Sequence, residues 1–266
     1  MTVFRRFLRD RRRSTLWWLV GVVATVALTV LFYPSVEGQA SFDDMTEQMP
    51  DAVAELFGLD STFPMSSPEG FLQSQLFATM LPILLVVFGI GIGARAIGGS
   101  EEDGTLELLL ANPVTRRRLA LERYGTLVVL HVVLMAATAV TTFATGVPVG
   151  ATDGIPLAWL AAAFVAVLLL GLLHATIAFA VGALTGRRGR AIAVSAAVAV
   201  AGYLVEGLAQ AADPLQPLQA ISPFHWLLER NMLGEGVAWA SIVLPLLVTA
   251  ALLAVAVPAF ERRDLR

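Results

Sequence analysis

Six long runs of apolar residues, separated by shorter polar segments, dominate the chain. A helix needs about 20 apolar residues to cross the roughly 30 Å hydrocarbon core of a bilayer, and each run approaches or exceeds that length. The runs are continuously apolar, whereas the strands of a transmembrane β-barrel alternate between apolar and polar residues. The pattern predicts six transmembrane helices, at Leu16–Tyr33, Leu72–Ala94, Gly125–Val147, Leu157–Leu184, Ala191–Ala212 and Val237–Phe260.

The composition agrees with a chain that folds in lipid. Of the 266 residues, 57% are hydrophobic and 15% are charged, and the mean hydropathy is +0.74. Soluble domains contain about 45–50% apolar and about 25% charged residues. The first run follows a basic segment but lacks a small-residue cleavage site, so we expect a retained span rather than a signal peptide. The predicted fold is a single all-α transmembrane domain over residues 1–266.

All 18 basic residues are arginines, and their distribution is uneven. They precede the first span, fill the second and fourth connections and follow the last span, whereas the alternate connections contain only Arg230. Basic residues near span ends are retained on the cytoplasmic side. We therefore expect a multi-pass protein of the cell (plasma) membrane with cytoplasmic N- and C-termini.

The two longer outer connections differ in character. Residues 34–70 are acidic, and "FDDMTEQMPDAVAELFGL" within them predicts either a short amphipathic helix at the outer surface or a solvated loop. Residues 213–236 contain His225 and Glu229 beside several aromatic and leucine residues. Two residues make an incomplete metal site, so no metal is expected, and a re-entrant or interfacial helix is predicted instead.

The second connection, residues 98–120, reads "GGSEEDGTLELLLANPVTRRRLA". Ser100, followed three residues later by Asp103, fits a helix-capping pattern, so we expect a short helix to begin there. Pro113 should end that helix, and Thr115 can cap a second one that begins with the arginines. An ordinary solvated loop is the alternative, but a leucine-rich helix outside the bilayer must bury its apolar side against protein or membrane.

This connection resembles the cytosolic loop of ABC type-2 transporter permeases. The resemblance rests on an acidic residue before Gly-Thr-Leu-Glu-Leu-Leu-Leu, with Pro-Val-x-Arg after it, following a second span. The basic N-terminal segment, the six spans, the large outer loop and the polar outer segment before the last span are similar too. The likeness thus covers nearly the whole chain, although the acidic outer loop matches no motif of that family.

The resemblance implies a permease, the transmembrane subunit of an ABC exporter. Such a subunit works with a cytosolic ATP-binding subunit, of which there are two per complex. Its other partners are a second permease subunit, identical or homologous to it, and the membrane lipids. ATP and Mg²⁺ would bind to the partner, and no cofactor or nucleic acid is expected on this chain. A coupling helix that contacts the ATP-binding subunit is implied at Glu101, Glu102, Asp103, Gly104, Thr105, Leu106 and Glu107. An N-terminal helix on the inner membrane surface, within residues 1–15, is implied at Phe4, Arg5, Arg6, Phe7, Leu8 and Arg9.

Three ionisable residues lie within or near the predicted spans, where such groups are costly and often functional. Interhelical hydrogen bonds are the expected role of His131 and His174. Glu206 lies near the outer end of the fifth span, and exposure at the membrane interface or a part in transport are both open for it.

Two other classes of protein are weighed against a permease. A lipid-modifying membrane enzyme would need clustered catalytic carboxylates or histidines, but the three histidines are scattered. A non-transporting anchor or sensor with the same fold could have an identical sequence pattern. The chain has no lysine, and the phosphate-binding loop of P-loop ATPases requires one, so the chain is not expected to hydrolyse ATP itself. An apolar path favours an amphipathic substrate over an ion.

Overall fold

The computed structural model describes residues 3–39, 63–111, 114–208, 216–228 and 231–264. Within these residues the chain is helical and contains no strand, and six helices are long and apolar enough to cross a membrane. The predicted class, an all-α membrane protein with six spans, is confirmed to that extent. The amphipathic helix predicted in the acidic outer loop lies outside the described residues.

Helices account for most of the described residues. In chain order they are α1 (Val3–Leu31), α2 (Pro68–Glu102), α3 (Thr105–Leu110), α4 (Arg116–Gly146), α5 (Leu157–Thr185), α6 (Arg188–Leu208), α7 (Gln216–Gln219), α8 (Pro223–Leu228) and α9 (Trp239–Arg262). Helix α2 contains two π-helical stretches, Leu72–Met80 and Arg95–Gly99. The six spans agree with the predicted ones to within a few residues at most ends. The exceptions are the starts of α1 and α4, which lie well before the predicted Leu16 and Gly125, and the end of α2, which lies at Glu102 rather than Ala94.

Helix α5 is the centre of the bundle. It packs against α2, α6 and α9, and 78% of its most apolar stretch is buried, against 17% for α1. Helix α1 packs mainly on α4 and leaves large apolar side chains such as Trp17 and Leu28 exposed. A helix that is apolar on all sides suits the interior or lipid equally, so packing alone distinguishes the central helix from the peripheral ones.

Glycines allow α2 and α5 to approach closely. A Cβ atom at Gly89 would lie 2.7 Å from the carbonyl oxygen of Gly171, and one at Gly93 would clash with the carbonyl oxygen of Ala175. Small residues let transmembrane helices pack backbone against backbone. Gly91, between them, faces open space.

The start of the short helix after the second span was predicted at the wrong residue. Ser100 does not cap a new helix; it lies inside α2, and its hydroxyl donates to the carbonyl of Arg95 at 3.3 Å. The chain turns four residues later, where Gly104 has a φ of 66°, in the left-handed region that favours glycine. Helix α3 therefore begins at Thr105. The predicted cap at Thr115 is confirmed, since its hydroxyl accepts the backbone N–H of Arg118 at 3.3 Å.

No break separates the N-terminal segment from the first span. Helix α1 is continuous from Val3 to Leu31, so the proposed interfacial segment forms one helix with the span. Phe7 is buried, and its ring lies beneath the guanidinium groups of Arg11 and Arg123. The contact of this segment with the membrane surface stays a prediction, but Phe7 itself faces the protein.

The polar segment before the last span forms α7 and α8. Helix α8 packs against α5, α6 and α9, and it buries Phe224, Trp226 and Leu227. The indole N–H of Trp226 donates to the carbonyl of Ala220 at 2.8 Å, which satisfies its polar atom inside this packing. The depth of α8 in the membrane stays a prediction.

Candidate functional site

Four long helices meet at one end of the bundle, which we call the arginine-rich end. These are the C-termini of α2 and α9 and the N-termini of α4 and α6, and their side chains contact one another. The arginines that follow or precede these four helices therefore lie at the same end. The alternation of arginine-rich connections in the sequence anticipates this grouping.

Glu101 joins α2 to the C-terminal end of α9. Its carboxylate accepts two hydrogen bonds from the guanidinium of Arg263: Oε1 lies 3.0 Å from Nη1, and Oε2 pairs with Nη2. The Glu101 side chain is only 6% exposed. A two-pronged guanidinium–carboxylate pair is among the strongest polar contacts of proteins and is specific in its geometry. Glu101 is thus an internal contact and is largely closed to a partner protein.

Glu102 joins α2 to the start of α6. Its Oε1 atom accepts the backbone N–H of Arg188 at 3.1 Å. The first N–H groups of a helix lack partners within the helix, and a carboxylate both accepts from them and complements the helix dipole. Gly186, with a φ of 66°, allows the preceding turn to pass against Glu101 and Arg263, where a side chain would clash.

Arginines of α4 hold two further contacts. Arg116 donates to the carbonyl oxygens of Glu261 and Arg263. Carbonyl groups at the end of a helix lack partners within the helix, and Arg116 supplies one at the end of α9. Arg123 is buried and donates to the carbonyl of Ala96, in the second π-helical stretch of α2. Together with the two glutamates, these arginines connect the ends of all four helices.

The remaining predicted coupling residues divide into a buried one and an exposed set. Leu106 is fully buried, so the leucine-rich helix α3 covers its apolar side within this chain. Asp103, Gly104, Thr105 and Glu107 are exposed. We call these four residues the acidic edge. The hydroxyl of Thr105 donates to the carbonyl of Ser100 at 3.0 Å, which fixes the edge to the end of α2.

The two histidines within spans bond to their own helices. The Nδ1 atom of His131 lies 2.9 Å from the carbonyl oxygen of Leu127, and that of His174 lies 2.9 Å from the carbonyl oxygen of Leu170. Within the part of the chain that the structure describes, neither histidine forms the interhelical hydrogen bond predicted for it, and each bonds to the carbonyl one turn earlier instead. Among the described residues, the Nε2 atoms of both histidines have no hydrogen-bond partner.

Glu206 is buried rather than exposed at an interface. Its Oε1 atom lies 3.0 Å from Nδ1 of His225 in α8, and its side chain is 3% exposed. The sequence gives no sign of the pairing with His225, because the two residues belong to different elements. Glu229 lies outside the described residues, within which no group of metal-binding side chains occurs.

The chain was compared with known proteins. A family model described as "ABC-2 family transporter protein" matches residues 1–265. A comparison with curated proteins finds no match.

Proposed function

Since the chain belongs to the ABC-2 transporter family and is the membrane permease of an ABC transporter, we propose that its acidic edge docks onto a separate ATP-binding subunit. ATP and Mg²⁺ would bind to that subunit, and this chain would form the substrate path. The proposed complex is an exporter with two permease and two ATP-binding subunits. Its arginine-rich end, including both termini, would face the cytoplasm of a cell membrane, following the distribution of basic residues.

The observation that carries this proposal is the position of the acidic edge. The edge is exposed, lies directly after the last turn of α2, and belongs to the segment that resembles the coupling loop of type-2 permeases. Of the residues first assigned to coupling, Glu101 is buried in its pair with Arg263, and Glu102, although exposed, already accepts the backbone N–H of Arg188. The docking contact is therefore assigned to Asp103, Thr105 and Glu107.

The contacts behind the edge supply a route for coupling. A partner that displaces the edge would displace the end of α2. Farther back, the same helix is packed closely on α5 through Gly89 and Gly93. The same end of α2 is joined to α6 through Glu102 and to α9 through Glu101. Movement at the edge would thus reach the ends of α6 and α9 through direct contacts.

Charge reversal of the edge tests the docking assignment. Like charges brought together at an interface cost several kcal/mol, so Asp103→Lys with Glu107→Lys should weaken co-purification of the ATP-binding subunit by about tenfold or more. Asp153→Lys is the matched control, because Asp153 is exposed in the connection between α4 and α5, at the other end of the bundle. Partner recovery and membrane level are measured side by side on quantitative immunoblots.

Full partner recovery and full transport by the Asp103→Lys/Glu107→Lys variant would show that the edge is only solvated. Normal partner recovery with lost transport would also contradict docking through these residues. If the wild-type chain binds its partner normally but transports nothing, the alternative of a membrane anchor or sensor is supported. The purified chain alone should show no ATP hydrolysis above background. ATP turnover without a partner would contradict the proposal that the ATP-binding subunit carries out the hydrolysis.

The proposed orientation has an independent test, since the chain contains no cysteine. In intact cells, a thiol introduced as Asp153→Cys should react with a membrane-impermeant reagent, whereas one introduced as Thr105→Cys should not. Both positions are exposed and therefore accessible to the reagent from their own side of the membrane. Labelling of the Thr105→Cys variant from outside the cell would contradict the proposed orientation.

A further inference from the structure

A groove of about 410 Å³ lies between α4 and α9 at the arginine-rich end. Its mouth carries the charged residues Arg117 and Glu261, and its wall includes Leu121, Leu253 and Ala254. On α9, Leu253 and Glu261 are eight positions apart, which corresponds to about 12 Å along a helix. The groove thus extends from a charged mouth to an aliphatic interior, on the outside of the bundle.

The three consecutive arginines of α4 have different environments. Arg116 donates to carbonyl oxygens at the end of α9, and Arg118 pairs with Glu122 at 2.8 Å. Arg117, between them, forms no hydrogen bond or ion pair with the part of the chain that the structure describes. Its guanidinium is therefore available to a ligand in the groove.

Glu261 carries the second available charge. Its backbone carbonyl accepts from Arg116, but its carboxylate is exposed and has no ion-pair partner among the described residues. Arg117 and Glu261 line the same groove without forming a salt bridge with each other. The groove therefore offers one positive and one negative side chain at separate positions. It is complementary to a ligand that carries an anionic group and a cationic group apart from each other.

We propose that this groove binds a membrane phospholipid with a zwitterionic, ammonium-bearing headgroup, of the phosphatidylethanolamine type. The lipid phosphate would pair with Arg117, because a guanidinium matches phosphate in charge and in donor geometry. The ammonium group would donate to the carboxylate of Glu261, and an acyl chain would lie along Leu121, Leu253 and Ala254. The groove then joins a headgroup site to an acyl site, as a lipid at the edge of the bilayer requires.

The test is lipid retention by the purified full chain. The protein, in detergent with equimolar phosphatidylethanolamine and phosphatidylglycerol, is analysed by native mass spectrometry. The wild-type chain should retain phosphatidylethanolamine preferentially. Arg117→Gln should lower retention of both lipids by about two- to fivefold, the range expected for an exposed ion pair. Glu261→Gln should abolish the preference, because phosphatidylglycerol has no ammonium group. Arg118→Gln, whose arginine is paired elsewhere, is the matched control and should change neither.

A second pair of variants tests the apolar part. Ala254→Phe fills the groove from an exposed position and should reduce retention of both lipids, while Ala251→Phe, exposed on the same helix outside the groove, should not. Equal retention of the two lipids by the wild-type chain would overturn the proposal, as would unchanged retention in both Arg117→Gln and Ala254→Phe. A change of oligomeric state in Ala254→Phe, without a change in lipid, would make the groove a contact between copies and would also overturn it.

Discussion

At the arginine-rich end, Glu101 meets a guanidinium that pairs with both of its carboxylate oxygens, whereas Glu206 shares one oxygen with His225 of α8. The second oxygen of Glu206 has no hydrogen-bond partner among the described residues. Both side chains are nearly inaccessible to solvent, so the difference lies in the partner rather than in burial.

The two pairs should respond differently to change. An arginine keeps its charge at any relevant pH, whereas a histidine is charged only when protonated, so the Glu206 pair is ionic only in one protonation state. Breaking a buried pair from one side leaves a charge without compensation. We infer that the Glu101 contact fixes α2 to α9 permanently and that the Glu206 contact is the weaker and more adjustable one.

The largest effect is expected from Arg263→Gln. The variant leaves the buried carboxylate of Glu101 without its counter-charge, and removal of one partner from a buried pair costs about 3 kcal/mol or more. The free energy of unfolding, measured with denaturant in detergent micelles, should fall by that order. Expression and membrane insertion of the variant are checked first on gels of isolated membranes.

A double-mutant cycle sharpens this result. Glu101→Gln combined with Arg263→Gln should recover part of the lost stability, because neither charge is then left alone. If the effects of the two single substitutions simply add, the pair carries no interaction energy, and the contrast with Glu206 disappears.

A smaller effect is expected from Glu206→Gln. Glutamine keeps an oxygen that accepts from His225 and removes the charge, so the change should cost about 1 kcal/mol, the usual net value of one hydrogen bond. The measurement is the same unfolding experiment. A loss equal to that of Arg263→Gln would show that the two ends of the bundle depend equally on their acids.

The smallest effect is expected from Glu102→Gln. The neutral side chain still reaches the N–H of Arg188 but complements the helix dipole less well, a difference of about 0.3–1 kcal/mol. Hydrogen exchange of the first turn of α6 should become faster, while exchange of the first turn of α5 stays unchanged. Equal exchange in both proteins would show that Glu102 does not cap α6.

Sequence reasoning succeeded mostly where one segment carried its own information. The span predicted at Leu157–Leu184 is observed as Leu157–Thr185, because a continuous apolar run reports directly on the medium around it. The cap at Thr115 likewise depends on three neighbouring positions. The same local reasoning failed at Ser100, since its capping pattern is present but α2 simply continues through it.

Contacts between distant segments could not be read in this way. Glu101 and Arg263 are 162 positions apart, and each taken alone looks like an ordinary solvated charge of a cytosolic segment. Sequence assigned Glu101 to a partner protein, and the packing of α2 and α9 instead places it against an arginine. Phe7 was likewise assigned to the membrane surface but is covered by Arg11 and Arg123.

The sequence by itself determined whether each segment is surrounded by lipid or by water. With that it determined the six membrane-spanning helices and the arginine-rich end of each of them. The absence of lysine led only to the expectation that ATP is hydrolysed on another chain. Only the tertiary structure decided which acids remain free for a partner, because that depends on which helix ends come together. Hydrophobicity acts on each segment separately, whereas a hydrogen bond or an ion pair requires two groups within a few ångströms of each other.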